Sequence, residues 1–221
     1  MPHHGGMPWR ELADLPFAAA LRAHRGVLHP RGDYDCEHFD QAVFDGASAP
    51  DSRFLECALT GVSFTGGGLR QARFASAWLR DVRFTGTSLA GTEWADTELI
   101  GSALAGTEVF GARLHRVTLH GCKLDSVNFR HAELTEVAFD NCLLRDVDFT
   151  GATLSRTSFT GSRLATTTFV QTTLDQVDLR GAELGITTDA ISLRGAIVTP
   201  AQLTAMAPVL ADSLGIVVAD G

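Results

Sequence analysis

Histidine and cysteine are the residue types in this chain that most often bind metal ions. His115, His120 and His131 lie close together in the sequence, and Cys122 and Cys142 are twenty residues apart. A zinc site needs three or four ligands that converge on one point. The five-residue repeat of this chain places the three histidines at outward-facing corners of the backbone, where side chains point away from one another. We therefore expect no metal site. The separation of the two cysteines permits a disulfide, but inward-pointing parallel side chains favour buried free thiols.

Sequence motifs of common catalytic sites are absent. The chain has no GxSxG nucleophile elbow, no P-loop, no HExxH and no dinucleotide-binding fingerprint. Gly66, Gly67 and Gly68 form a triplet, but no helix is predicted after it, so it is not a phosphate loop. We therefore predict a protein that is not an enzyme and has no cofactor.

Charge and hydropathy limit the partners. The 221 residues carry a formal net charge of −8, which disfavours direct binding to nucleic acid and favours a partner with a basic surface. No stretch reaches the ~18 apolar residues of a membrane span, and the first residues lack the pattern of a signal peptide. Four cysteines are too few for a disulfide scaffold. We expect a cytoplasmic protein with a protein partner, no direct nucleic-acid binding and no membrane.

A five-residue repeat positions all of these side chains. From Phe39 to Leu184 every fifth residue is a large apolar one, with Ala49 the single exception. A period of five fits neither a helix nor a plain strand. It fits a short extended piece followed by a corner, and twelve of the thirty corner residues are glycine, which tight turns favour. The chain is therefore expected to coil as a solenoid around a filled core.

The number of sides follows from the phenylalanines. They recur every ten residues from Phe44 to Phe84 and again from Phe129 to Phe169. A four-sided coil of twenty residues keeps each stacked column uniform, whereas a three-sided coil of fifteen would mix phenylalanine with leucine. Thirty repeats give seven and a half coils, a rod roughly 36 Å long at ~4.8 Å per coil. The phenylalanine columns change sides between Leu99 and Leu124, and the sequence does not explain why.

Several repeats match a known consensus, Ala-(Asp/Asn)-Leu-X-X. The clearest are Val127-Asn128-Phe129, Val147-Asp148-Phe149-Thr150-Gly151 and Val177-Asp178-Leu179-Arg180-Gly181. From about residue 35 to 199 the sequence thus resembles the pentapeptide-repeat proteins. The resemblance implies an all-β fold, a right-handed quadrilateral parallel β-helix, here with short helical caps at both ends. It also implies similarity to DNA-mimicking quinolone-resistance members, which bind DNA gyrase or topoisomerase IV as dimers.

The two ends are predicted to be caps, because exposed strand edges invite aggregation. Residues 1–34 form an N-terminal segment with a helical cap, residues 35–199 the β-helix, and residues 200–221 a C-terminal helical cap. Thr199, Pro200 and Gln202 form a capping box that starts the last helix. Pro208 is expected to split it into two short helices, and Ile216-Val217-Val218 is expected to be a final strand. The residues predicted to form a homodimer contact are Leu203, Met206, Leu210, Leu214, Ile216 and Val217.

Two outward-facing sets are candidates for partner binding. One side of the coil, called side A, is centred on Leu59, Leu79, Leu99 and Leu119. Of the four sides, it has the most negative net charge. Its predicted binding residues are the carboxylates Asp40, Asp81, Glu98, Asp140 and Asp178, against only Arg80 and Arg180. Leu55 and Trp78, one coil apart on adjacent sides, are predicted to form an exposed apolar patch.

These sets support different functions. An acidic side favours a DNA mimic that competes for the basic DNA-binding surface of gyrase and confers resistance to gyrase poisons. A solvated face tuned for solubility would explain the same charges. An apolar patch favours a structural or scaffolding module whose partner is unrelated to DNA. Salt would discriminate the two functions, because ionic strength weakens electrostatic mimicry and not apolar docking.

Overall fold

The computed structural model describes residues 9–219, which form a parallel β-solenoid of four sides and about eight coils. Residues paired between neighbouring coils are twenty apart, as Leu99 is with Leu119 and Phe84 with Leu104. The predicted four-sided β-helix is therefore confirmed. In the described part of the chain, no helix is long and apolar enough to cross a membrane.

The strands are short because a corner follows each one. Side A contains Arg22–Ala23, Glu37–Asp40, Ala58–Thr60, Trp78–Arg80, Ala138–Asp140 and Val177–Asp178. The next side along the chain, side B, contains Val43–Asp45, Ser63–Thr65, Arg83–Thr85, Ala103–Ala105, Lys123–Asp125 and Leu143–Arg145. Two longer strands, Arg163–Phe169 and Glu183–Thr188, begin on side B and continue onto the side that follows it.

The two remaining sides differ in their pairing. Side C is joined by single bridges at Ser48, Gly68, Ser88, Glu108, Asn128, Asp148 and Thr168. Side D contains Asp33–Asp35, Arg53–Leu55, Arg73–Ala75, Glu133–Thr135, Thr153–Ser155 and Thr173–Asp175. Two long strands, Glu93–Ile100 and Arg113–His120, run from side D onto side A, and Ala196–Ile197 pairs with Val177–Asp178.

Every corner has the same backbone conformation. From Arg31 to Gly181, each fifth residue has a φ between +48° and +78°, the left-handed region that favours glycine. Gly67 has the same conformation beside the corner residue Gly66. A Cβ on Gly67 would lie 2.1 Å from the carbonyl oxygen of Ala47, whereas one on Gly66 would meet nothing. The triplet is thus a tight corner between coils.

The core is filled by stacked aromatic rings. On sides B and D the stacks lie in the N-terminal half, where Phe54 and Phe74 are 4.6 Å apart and nearly parallel. On sides A and C they lie in the C-terminal half, where Phe139 and Phe159 are 4.8 Å apart. The coils between the two halves have few aromatic rings, and an apolar cavity of about 20 Å³ remains there. The change of columns is therefore a change in packing within the core.

The N-terminal segment differs from the predicted helical cap. It has two single 3-10 turns, Leu12–Asp14 and Ala18–Ala20, and these lie along side A beside Trp78 and Ile100. The end of the rod is instead covered by strand Arg22–Ala23 and by His24, whose ring stacks on Phe39 at 4.1 Å. Residues 9–21 are called the strap below.

The C-terminal cap is one helix, Pro200–Ser213, that begins with the predicted capping box at Thr199. The prediction of a split at Pro208 is wrong. A proline removes one backbone hydrogen bond, and the turns on either side of it still lie against the last coil through Met206 and Leu210. The predicted strand at 216–218 does not form; Ile216, Val217 and Val218 are exposed and lie against no other strand within residues 9–219. Residues 1–8 and 220–221 of the predicted end segments lie outside the described residues.

Candidate interaction surfaces

The five predicted carboxylates do share side A. Asp40 is exposed near the N-terminal end of the rod, and the side chain of Asp81 is 64% exposed, with the Arg80 guanidinium 3.8 Å away. Asp140 is half-buried, 3.5 Å from Nδ1 of His120. The structure thus leaves Asp40 and Asp81 as the most open carboxylates of the set.

The other two carboxylates are each engaged by an arginine. Asp178 accepts hydrogen bonds from the guanidinium of Arg180 at 2.9 and 2.7 Å, and those bonds lower the pKa of Asp178. Glu98 accepts from Nε of Arg10 at 2.7 Å and lies under the strap. The acidic side is therefore interrupted at two of its five predicted positions.

The predicted apolar patch is corrected at Trp78, which is only 2% exposed. Its ring lies against Leu15 and Phe17 of the strap, together with Ala58 and Ile100. The indole Nε1 donates to the carbonyl oxygen of Arg10 at 3.0 Å. Leu55 is half-buried. Trp78 and Leu55 thus do not make one exposed surface, because the chain covers its own tryptophan.

The strap is the feature that sequence reasoning missed. A signal was available, since outward positions of a solenoid are normally polar and side A has Trp78 and Ile100 there. Two large apolar residues one coil apart on one side indicate a covering segment. The sequence analysis instead predicts that the N-terminal segment, with its apolar residues at 12–21, caps the end of the rod.

A protein-family model described as "Pentapeptide repeat region" matches residues 92–169. The matched region lies inside the four-sided solenoid, whose five-residue corners extend well beyond it. Over residues 92–169, this chain is therefore similar to the pentapeptide-repeat family.

Two solved structures are similar to this chain at low sequence identity. HetL, from the cyanobacterium Nostoc sp. strain PCC 7120 and described as involved in heterocyst differentiation regulation, is 19% identical. That match covers 76% of this chain and 90% of HetL, with a TM-score of 0.49. QnrB1, described as a plasmid-mediated fluoroquinolone resistance protein, is 18% identical over 90% of this chain and 100% of that one, with a TM-score of 0.48. No curated protein sequence matches the chain significantly.

The thiols of this chain differ in environment. Cys57, Cys122 and Cys142 are buried and free, and Cys36 is partly exposed. Burial raises the pKa of Cys57 to about 12, so its thiol stays protonated and unreactive at neutral pH. The expectation of buried free thiols at Cys122 and Cys142 is confirmed.

Among residues 9–219, one group of side chains places three metal-ligating atoms close together: Asp35, Cys36 and Glu56, within 4.8 Å of one another. The three histidines considered from the sequence do not belong to it. The Cys36 thiol donates to Glu56 Oε2 at 3.5 Å, and burial, followed by this bond, raises the pKa of Cys36. A protonated thiol bonded to a carboxylate explains the cluster without a metal ion.

Proposed function

We propose that this chain is a pentapeptide-repeat protein that acts as a non-enzymatic binding protein, and that its specific activity is DNA mimicry toward DNA gyrase or topoisomerase IV. The observation that carries the proposal is the placement of carboxylates along side A of an acidic rod. Asp40 and Asp178 are seven coils apart, about 34 Å at ~4.8 Å per coil. One turn of duplex DNA has about the same length.

The mechanism follows from charge. A basic surface that binds DNA releases counterions when phosphates neutralise it, and carboxylates on a rigid rod can replace those phosphates. The rod is stiff because ladder hydrogen bonds join each coil to its neighbours. Binding by side A would exclude DNA from the same surface and lower cleavage by gyrase poisons. The expected setting is the cytoplasm, where gyrase acts.

Absence of catalysis is part of the proposal. The interior is filled by large side chains such as Phe54, Phe84 and Phe159, which are fully buried. Enzyme sites are usually concave pockets in which several polar groups converge. Here outward side chains diverge from a convex surface, which supports binding in preference to chemistry.

Dimerisation through the C-terminal segment is the second part of the proposal. Leu203, Leu214, Ile216 and Val217 are each more than half exposed, whereas Met206 is buried and Leu210 half-buried against the last coil. These exposed apolar residues all lie in the C-terminal segment, at one end of the rod, where an isologous contact between two copies would bury them. A dimer would double the length of the acidic side.

A scaffolding module with a partner unrelated to DNA is the alternative. The observation that favours it is the interruption of side A by Arg10 and Arg180, which neutralise Glu98 and Asp178. A partner that docks on mixed charge and apolar surface would not need a continuous row of carboxylates.

The test is gyrase supercoiling with purified protein titrated in, at two salt concentrations, with and without a fluoroquinolone. The variant Asp40→Lys/Asp81→Lys reverses the two open carboxylates of side A. The control Asp45→Lys/Asp175→Lys makes the same change in net charge at exposed positions on sides B and D. Mimicry predicts salt-sensitive inhibition that weakens roughly tenfold in the side A variant and little in the control.

Two results would refute DNA mimicry. One is no effect on supercoiling or drug-induced cleavage with a cognate gyrase and folded protein. The other is equal loss of inhibition in both variants, which would indicate an effect of net charge alone. Either result would leave scaffolding as the better explanation.

A further inference from the structure

The strap is attached to the rod differently from every coil. Among the described residues of the strap, backbone amides donate within the strap itself, as Leu15 does to Leu12 and Leu21 to Ala18. The first backbone bond to the solenoid comes just after it, from the amide of Arg22 to the carbonyl of Cys36 at 2.9 Å. Side chains therefore hold the strap in place, whereas ladder bonds hold the coils.

Side A presents a built groove to the strap. Ala58, Trp78 and Ile100 form its apolar floor across three coils, and all three are buried. Leu15 and Phe17 of the strap fill it and are themselves less than a tenth exposed. These floor residues occupy outward positions, so their burial depends on the strap.

The groove also has a site for a cation. Glu98 Oε1 accepts from Arg10 at 2.7 Å, while Oε2 of the same carboxylate is buried with no hydrogen-bond partner. Arg80, at the other edge, is paired with Glu11 of the strap. A buried carboxylate oxygen without a donor is costly, so the groove can accommodate a ligand that offers one more N–H group than the strap does.

The strap can leave the groove without disturbing the coils. It ends where strand Arg22–Ala23 begins, and that strand pairs with Glu37 and His38. Among the described strap residues, no backbone amide donates to a coil. Only contacts that involve side chains, including the bond from the Trp78 indole to the Arg10 carbonyl, therefore have to break.

We propose that the groove under the strap is a peptide-binding site, and that the strap is its internal occupant. The ligand is a segment of another protein with a cationic residue that reaches Glu98, followed by apolar or aromatic residues that cover Trp78 and Ile100. The chemistry of the strap itself, Arg10 followed by Leu15-Pro16-Phe17, defines this class. The inference goes beyond the proposed function and holds whichever protein binds side A.

The strap competes with any added peptide for the groove, so it lowers the apparent affinity of the groove for that peptide. Because the strap is tethered, its effective concentration is on the order of mM, and most grooves are occupied by the strap when the peptide is added. Weakening the strap should raise the apparent affinity of that peptide in proportion to the fraction of open grooves.

The experiment uses the full chain and a fluorescent peptide with the strap sequence from Trp9 to Leu21, and binding is measured by anisotropy. The strap-weakened variant is Leu15→Ala/Phe17→Ala. The control is Val27→Ala, an exposed position beyond strand Arg22–Ala23 that does not contact the groove. We expect the weakened variant to bind the peptide roughly tenfold more tightly than the wild type. Glu98→Gln in the weakened background, or Arg10→Glu in the peptide, should each lower that affinity several-fold.

Equal binding by wild type and weakened variant, or binding unaffected by Glu98→Gln, would overturn the proposal. A wild-type dimer that the weakened variant loses would also overturn it, in favour of strap exchange between copies. Circular dichroism checks that the solenoid is intact. If the double variant does not fold, Arg10→Ala, a surface change, replaces it with the same expected direction.

Discussion

The cavity between the two halves of the core makes a testable prediction about packing. Aromatic stacks lie on sides B and D up to Phe84 and Trp94 and on sides A and C from Phe129 onward. Between them the core residues are smaller, and Val109 is one of the residues that line the apolar cavity of about 20 Å³. We expect Val109→Leu to stabilise the protein by filling it.

The magnitude has two parts. Burying one more methylene contributes about 0.8 kcal/mol, and filling about 20 Å³ contributes roughly 0.5 kcal/mol at about 24 cal/mol per Å³. The column already contains leucine at Leu69 and Leu89, so the backbone there accepts the longer side chain. The free energy of unfolding near the cavity should rise by roughly 1 kcal/mol.

The assay is amide hydrogen exchange followed by mass spectrometry, because a solenoid can open locally before it unfolds as a whole. Peptides that cover residues 99–124 should exchange roughly fivefold more slowly in Val109→Leu. The control is Leu69→Val on the same side, away from the cavity, which should cost about 1 kcal/mol. Unchanged or faster exchange in Val109→Leu would show that the coils have no room to fill, and would refute the packing argument.

Three further predictions concern corners, acid and thiols. Gly67→Ala should destabilise far more than Gly66→Ala in thermal unfolding, because only the former brings a Cβ to within 2.1 Å of a carbonyl oxygen; equal losses would contradict this. The hydrogen bond from Arg145 lowers the pKa of Asp125. The stability that this pair contributes is therefore present above about pH 4 and is lost as the pH falls through the folded-state pKa of Asp125. Arg145→Ala should raise the titration midpoint of Asp125 in a carboxyl NMR titration, and an unmoved midpoint would refute the pairing. In native protein, a thiol reagent should label Cys36 slowly and leave the three buried cysteines unlabelled; Cys36→Ser should abolish labelling, and two reacting thiols would show that the core opens.

The sequence alone determined the architecture. A five-residue period admits one local conformation, an extended piece and a left-handed corner, and the ten-residue spacing of phenylalanine selects four sides over three. Thr199, Pro200 and Gln202 act on neighbours only three residues away, so the start of the last helix was equally predictable. The corners and the helix start depend on contacts between residues that are close in the sequence, so the sequence pattern predicts them.

Tertiary structure decided which outward residues are accessible. Trp78 and Arg10 are separated by 68 residues, and nothing in the repeat specifies that residues 9–21 return along side A. That contact depends on the path of a non-repeating segment, which side-chain burial and the Arg10–Glu98 pair determine together. Outward positions of the repeat on side A are therefore buried where the strap covers them. The repeat pattern does not predict this, because burial depends on the whole folded chain and not on a residue's position within a repeat.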